Sequence, residues 1–292
     1  MAAMVVTLLG ACASGNRYDT LTAIKSGAPQ QVVAAELAAP PKLGIAFGGG
    51  GVRGFMHLGV LRALDEAGLR ADVVTGSSAG AIAAALYASG MPYRQMEEAA
   101  RSVSELELAD LVLSPQGFVR GRALAVWLNE MTGHRPINAL PVRLGVTVTD
   151  LGRGEALLVV DGNVGQAVQA SASVPGAVMP VLANGATYVD GGVLALVPVR
   201  FARQLGADVV LAIDIVCGNQ AALKGNALDS LLRTVRLQSC KLSEQEVAEA
   251  DFLIRPRFEP ESDLSFDQRE EAIIAGYHAA KAIMPALLER LR

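Results

Sequence analysis

Two glycine-built turns in the first third of this 292-residue chain hold the residue types that acyl transfer needs. Ser78 stands in Gly76-Ser77-Ser78-Ala79-Gly80, and Gly48-Gly49-Gly50-Gly51-Val52-Arg53-Gly54 precedes it. A serine hydroxyl that attacks an ester carbonyl drives negative charge onto the carbonyl oxygen. Fixed backbone N–H groups stabilise that charge, a single donor being worth on the order of 3 kcal/mol. Glycine suits both turns because it permits close backbone approach and tolerates the positive φ that aims several amides into one concavity. The first turn therefore reads as an oxyanion hole and Ser78 as a nucleophile. Gly76 and Gly80 flank it because a β-carbon at either position would strike the opposite arm of a sharp corner.

These turns need elements to hold them. Residues 43–47 form an apolar run, and 55–64 carry apolar residues at helical spacing, which gives strand, glycine turn and helix. Val73-Val74 leads to Ser78, and the alanine-rich stretch from Ala79 to Tyr87 is helical, so Ser78 sits at a strand-to-helix corner. Residues 142–148 and 156–160 read as strands joined by a polar turn over 149–154, a hairpin. Residues 186–189 form a short strand, and 208–214 is an apolar run bounded by charges, the pattern of a strand buried on both faces. Helical patterns cover 121–131, 164–172, 228–249 and 268–292. This alternation predicts an α/β fold with a mostly parallel sheet covered on both faces and both glycine turns at carboxyl ends of strands.

A nucleophilic serine needs a base. Of three histidines, His57 lies in the first helix, His134 in a turn, and only His278 falls late enough for the usual Ser, acid, His order. His278 sits in a helical stretch with no loop to project it, so all three read as structural or surface residues. Asp190 is better placed, because it ends the 186–189 strand and precedes Gly191-Gly192. In isolation Asp-Gly-Gly reads as an ordinary turn with an Asx bond. A rival reading also attaches to the first turn, since Gly49-x-Gly51-x-x-Gly54 matches the dinucleotide fingerprint of a nicotinamide oxidoreductase. That fold wants an acidic residue closing the second strand, whereas Asp72 opens it. No Gly-Lys-Ser/Thr follows the glycines, which excludes a Walker phosphate loop.

Taken in order, these blocks resemble the patatin-like phospholipases. That family carries a Gly-Gly-Gly-x-Arg-Gly loop, a Gly-x-Ser-x-Gly elbow and an Asp-Gly-Gly/Ala block, which fall on Gly49 to Gly54, Gly76 to Gly80 and Asp190 to Gly192. Ala170-Ser171-Ala172-Ser173-Val174-Pro175-Gly176 is similar to a block of the bacterial branch related to neuropathy target esterase. The resemblance implies a three-layer α/β/α fold and a serine esterase that cleaves acyl esters of lipids, phospholipid or lysophospholipid, without a cofactor. It implies Ser78 as nucleophile, Asp190 as general base, and the amides of Gly49, Gly50 and Gly51 as oxyanion hole. Arg53 either orients the loop through a salt bridge or touches an anionic headgroup, and the structural role is favoured. Ser171 and Ser173 satisfy backbone groups beside the site. Many relatives carry asparagine before a Pro-Val pair after the Asp-Gly-Gly, where this chain has Leu194-Ala195-Leu196-Val197-Pro198-Val199. The alternative from another class is a catalytically silent lipid-binding or scaffolding protein of the same fold.

Composition sets the remaining bounds. With 51% hydrophobic and 18% charged residues the chain buries a large core, and a net charge of −4 with 4% aromatics speaks against nucleic acid. Residues 94–127 mix acids with leucines and read either as an apolar wall or lid for an acyl chain or as plain helix packing. Scattered histidines and cysteines lack metal-ligand spacing. Residues 1–11 are apolar, and Leu9-Gly10-Ala11-Cys12 resembles a bacterial lipobox in which Cys12 is lipidated, although no Lys or Arg precedes it. The expectation is therefore a signal segment over 1–11, a tether over 12–41 and a catalytic domain over 42–292, anchored to a membrane and facing the periplasm, with a cytoplasmic location as the alternative. Nothing in the sequence pairs Cys217 with Cys240, and no disulfide framework is expected.

Overall fold

A computed structural model describes residues 15–18, 21–25, 41–219 and 227–292. Two short strands, β1 (Asn16–Tyr18) and β2 (Thr22–Lys25), come first. β3 (Leu43–Phe47), buried at every residue, runs through the glycine turn into α1 (Phe55–Glu66). β4 (Val73–Gly76), equally buried, breaks sharply into α2 (Ala79–Ala88). Then follow α3 (Tyr93–Ser102), the single turn α4 (Glu105–Leu108), the hairpin of β5 (Leu111–Ser114) with β6 (Gly117–Val119), and α5 (Arg122–Met131). The chain continues through β7 (Arg143–Asp150), β8 (Glu155–Asp161), α6 (Val164–Ser171), β9 (Val181–Ala183) and β10 (Ala186–Asp190). It closes with α7 (Val199–Gln204), β11 (Val209–Ile213), α8 (Ala227–Ala248), β12 (Phe252–Ile254) and α9 (Arg269–Arg290).

The centre of the sheet is parallel, in the order β7, β4, β3, β11, β12. Such strands are hydrophobic on both faces because helices cover both. Ile45, Phe47, Val74, Leu211 and Ile213 pack into the core shared with α1, α2 and α9, while Ala46, Val73, Val210 and Ala212 face Val199 and Ala202 of α7 and Val247 of α8. The architecture is thus the expected three-layer α/β/α. β7 and β8 form the expected antiparallel hairpin, and β10 also pairs antiparallel with β7. α1 and α9 cross backbone against backbone: a β-carbon on Gly59 would collide with Ile273 O, and one on Gly276 with Met56 O.

Two expectations change. The interval 12–41 is not simply a tether, because β1 pairs parallel with β9 and β2 antiparallel with β8, adding strands to the sheet. Against the expectation of no disulfide, the structure also joins Cys217 and Cys240, their Cα atoms 5.6 Å apart. Residues 94–127 make real secondary structure: α3 buries Tyr93, Met96 and Ala100, while Leu106 on α4 stays 84% exposed. The expected signal segment 1–11 and Cys12 lie outside the described residues. No helix among the described residues is long and apolar enough to cross a membrane.

Candidate active site

Strand register brings the chemistry to one edge. Phe47 of β3 pairs with Gly76 of β4, Gly76 pairs with Val146 of β7, and Asp190 of β10 pairs with Val148. The two glycine turns and the Asp-Gly-Gly block therefore leave the sheet side by side. Thr147 and Thr149 fasten them, the first donating from Oγ1 to Gly76 O and the second to Asp190 O, each at 2.9 Å.

Ser78 occupies the corner between β4 and α2 at φ 52 and ψ −123, a conformation L residues rarely hold. Its neighbours must be glycine. A β-carbon on Gly76 would lie 2.6 Å from Ala81 Cα, and one on Gly80 2.6 Å from Gly48 O. The corner is also tied to the first turn, since Ser77 N donates to Phe47 O at 3.1 Å. Ser171 does what was expected of it, accepting the Ser78 amide at 2.9 Å, while Ser173 Oγ donates to Gln169 O and Ser173 O accepts the Asp190 amide.

Asp190 accepts the Gly192 amide at 2.7 Å, and the Ser78 side chain acts on its carboxyl. Burial pushes its carboxyl up to about 6, and Ser78 and the Gly192 amide only partly restrain the rise. A carboxylate of that acidity stands close to the range wanted of a general base. Gly191 is required because a β-carbon there would run into Thr147 O.

In the glycine turn, Gly49 departs from expectation. Its N–H donates to Leu196 O at 3.0 Å and is withdrawn from the expected trio of oxyanion donors. The Gly50 and Gly51 amides donate to no acceptor among the described residues. Gly51 holds φ 57, which orients its amide as only glycine does without strain. Gly54 is needed because a β-carbon there would come 2.9 Å from Ala79 Cβ. Arg53 has the structural role: it is buried, bonded to Glu259 and paired with Asp263 at 2.8 Å.

His57 holds the turn from behind. Its Nε2 lies 2.8 Å from Gly48 O, and burial pushes its pKa down to about 4, so it is a neutral donor to that carbonyl. His278 is exposed on α9 and His134 is exposed at a left-handed turn position, φ 55. No grouping of His, Cys, Asp and Glu among the described residues has the shape of a metal site.

Residues 45–203 match the model of the family described as patatin-like phospholipase. This protein belongs to the patatin-like phospholipase family. An uncharacterised NTE family protein of Mycobacterium bovis is 30% identical over 60% of this chain and 49% of its own length. Lysophospholipase nte1 of Emericella nidulans is 33% identical over 59% of this chain and 12% of its own. The chain thus spans about half the mycobacterial relative and a small part of the fungal one. Among solved structures, full-length ExoU of the type III secretion system of Pseudomonas aeruginosa, in complex with SpcU, superposes with a TM-score of 0.50 at 17% identity. It covers 100% of this chain and 62% of that one, a likeness of fold.

In this patatin-like domain, sequence reasoning missed Thr147, Thr149, Leu196 and Glu259. Thr147 read only as a strand residue and Thr149 as the start of the polar turn. Their alternation with Val146 and Val148 on β7 is the one signal that both face a single side of the sheet.

Proposed function

We propose that this protein hydrolyses acyl esters of lipids, phospholipids or lysophospholipids, through a Ser78–Asp190 dyad. The observation that carries the reading is a buried carboxyl, raised to about 6, beside a serine held at a strained strand-to-helix corner. Ser78 Oγ attacks the acyl carbonyl and Asp190 accepts its proton. The Gly50 and Gly51 amides receive the oxyanion, and the leaving alcohol takes the proton back from Asp190. Water, deprotonated by Asp190, then attacks the acyl-Ser78 carbonyl, and Ser78 Oγ leaves with that proton from Asp190 as the fatty acid is freed. The family match and the name lysophospholipase on a relative support the lipid class.

Anchoring through Cys12 on the periplasmic side belongs to the same proposal, and the Cys217–Cys240 disulfide supports an oxidising compartment. The deciding experiment is labelling of the purified chain by a fluorophosphonate probe, in wild type, Ser78→Ala and Asp190→Ala. Labelling confined to wild type, with release of fatty acid from lysophospholipid micelles, is expected. A folded wild type that takes no label and cleaves no lysophospholipid, yet binds its micelles, sinks the hydrolase reading in favour of a silent lipid binder.

A further inference from the structure

Gly50 is closed on one side by the segment that follows β11. A β-carbon on Gly50 would stand 2.7 Å from Ile215 Cδ1 and 2.8 Å from Val216 Cγ2, so these residues form the wall against which the turn sets its amides. That wall is tied down three times. Buried Asp214 accepts the amides of Val216 and Cys217 at 3.1 and 2.8 Å and takes Arg255 Nε at 2.9 Å. Arg236 of α8 donates to Val216 O at 3.1 Å. Cys217 is bonded to Cys240, which lies one helical turn beyond Arg236 on α8. Arg236 also donates to Glu259, at 3.3 and 3.2 Å, and Glu259 in turn accepts Arg53 of the glycine turn. α8 therefore meets the turn by two routes, through the Ile215–Val216 wall and through Glu259, and Cys217–Cys240 is the covalent link of the first.

We propose that the Cys217–Cys240 disulfide is a redox-sensitive brace of the glycine turn, with Arg236 and Glu259 as positioning residues that carry α8's hold to Arg53. The functional consequence rests on the hydrolase reading above. Both cysteines are partly exposed, so a dithiol reaches them. Its thiolate attacks one sulfur, the S–S bond breaks, and the resulting mixed disulfide is resolved by the reductant's second thiol. Two protein thiols and one oxidised dithiol result, a two-electron exchange. Release of Cys217 loosens the wall, and oxyanion donors that are no longer fixed lose part of their worth to the transition state while ground-state binding is kept.

The test uses the full-length chain before and after treatment with dithiothreitol, with peptide mass mapping of residues 217 and 240. On a soluble p-nitrophenyl ester, reduction is expected to lower kcat by about tenfold, a fraction of one oxyanion donor's effect, with KM little changed and full recovery on reoxidation. Amide hydrogen exchange across residues 47–57 is expected to quicken while far-ultraviolet circular dichroism stays constant. Cys240→Ser should behave as the reduced wild type and ignore dithiothreitol. Glu259→Gln should lower kcat with the disulfide intact. Unchanged exchange and kcat after mapped reduction, global unfolding on reduction, or free thiols at 217 and 240 in the air-oxidised chain would each overturn the brace. If the oxidised chain hydrolyses nothing, the hydrolase reading fails instead, and exchange alone decides the brace.

Discussion

The Ser78 side chain acts on the Asp190 carboxyl where neither residue is more than 8% exposed. A carboxylate removed from water and answered by one amide and a neighbouring hydroxyl holds its proton more tightly than in solution. Base strength and folding cost thus have one origin.

That origin gives a pH dependence. In the proposed dyad Asp190 works as a base only when ionised, so kcat/KM should rise along a single limb centred near 6 and show no histidine limb. His278→Ala should leave the profile within about twofold of wild type, since that ring is exposed on α9. A collapse of activity in folded His278→Ala would refute the dyad.

The same group trades stability for function. Its folded pKa of about 6 exceeds the ordinary 3.8, so its stabilising effect is complete below 3.8 and is lost as pH climbs through 6. Asp190→Asn should therefore be inactive yet more stable than wild type at pH 8, by up to about 3 kcal/mol, and lose that advantage near pH 3.5. Denaturant melts at the two pH values check this.

Strain at the nucleophile predicts a difference between two inactive variants. Ser78→Ala keeps a β-carbon at φ 52, whereas Ser78→Gly does not, so the glycine variant should be the more stable by about 1 kcal/mol. Equal melting of the two would mean that the corner is not strained.

Where α1 crosses α9, Gly59→Ala and Gly276→Ala should each force the backbones apart and destabilise by about 1–3 kcal/mol or more. The contact partners are main-chain atoms, Ile273 O and Met56 O, which cannot rotate away. Calorimetry gives the answer, and a melting temperature within a degree of wild type would contradict the crossing.

Much of this was legible in the sequence, for reasons that differ by element. The parallel strands β3, β4 and β11 declare themselves because burial on both faces leaves unbroken apolar runs. Ser78 and its glycines were visible because a corner that tight admits few residue types. β1, β9 and β12 are three residues each, too short to set up an alternation. The loss of Gly49 as a donor depends on a carbonyl at Leu196, which only the folded register brings within reach. Glu259, the partner of Arg53, lies in a stretch without periodicity, and the Cys217–Cys240 bond follows from where α8 lies, which cysteine spacing does not encode.

The glycine crossing also sets an order of events during synthesis. α1 leads out of the glycine turn, but the face it shows to α9 stays uncovered until a helix that follows every described strand of the sheet has left the ribosome. Contacts between such distant parts of a chain close late. A nascent chain can pair β3, β4 and β7 and still lack the support behind its glycine turn, which is complete only when α9 docks.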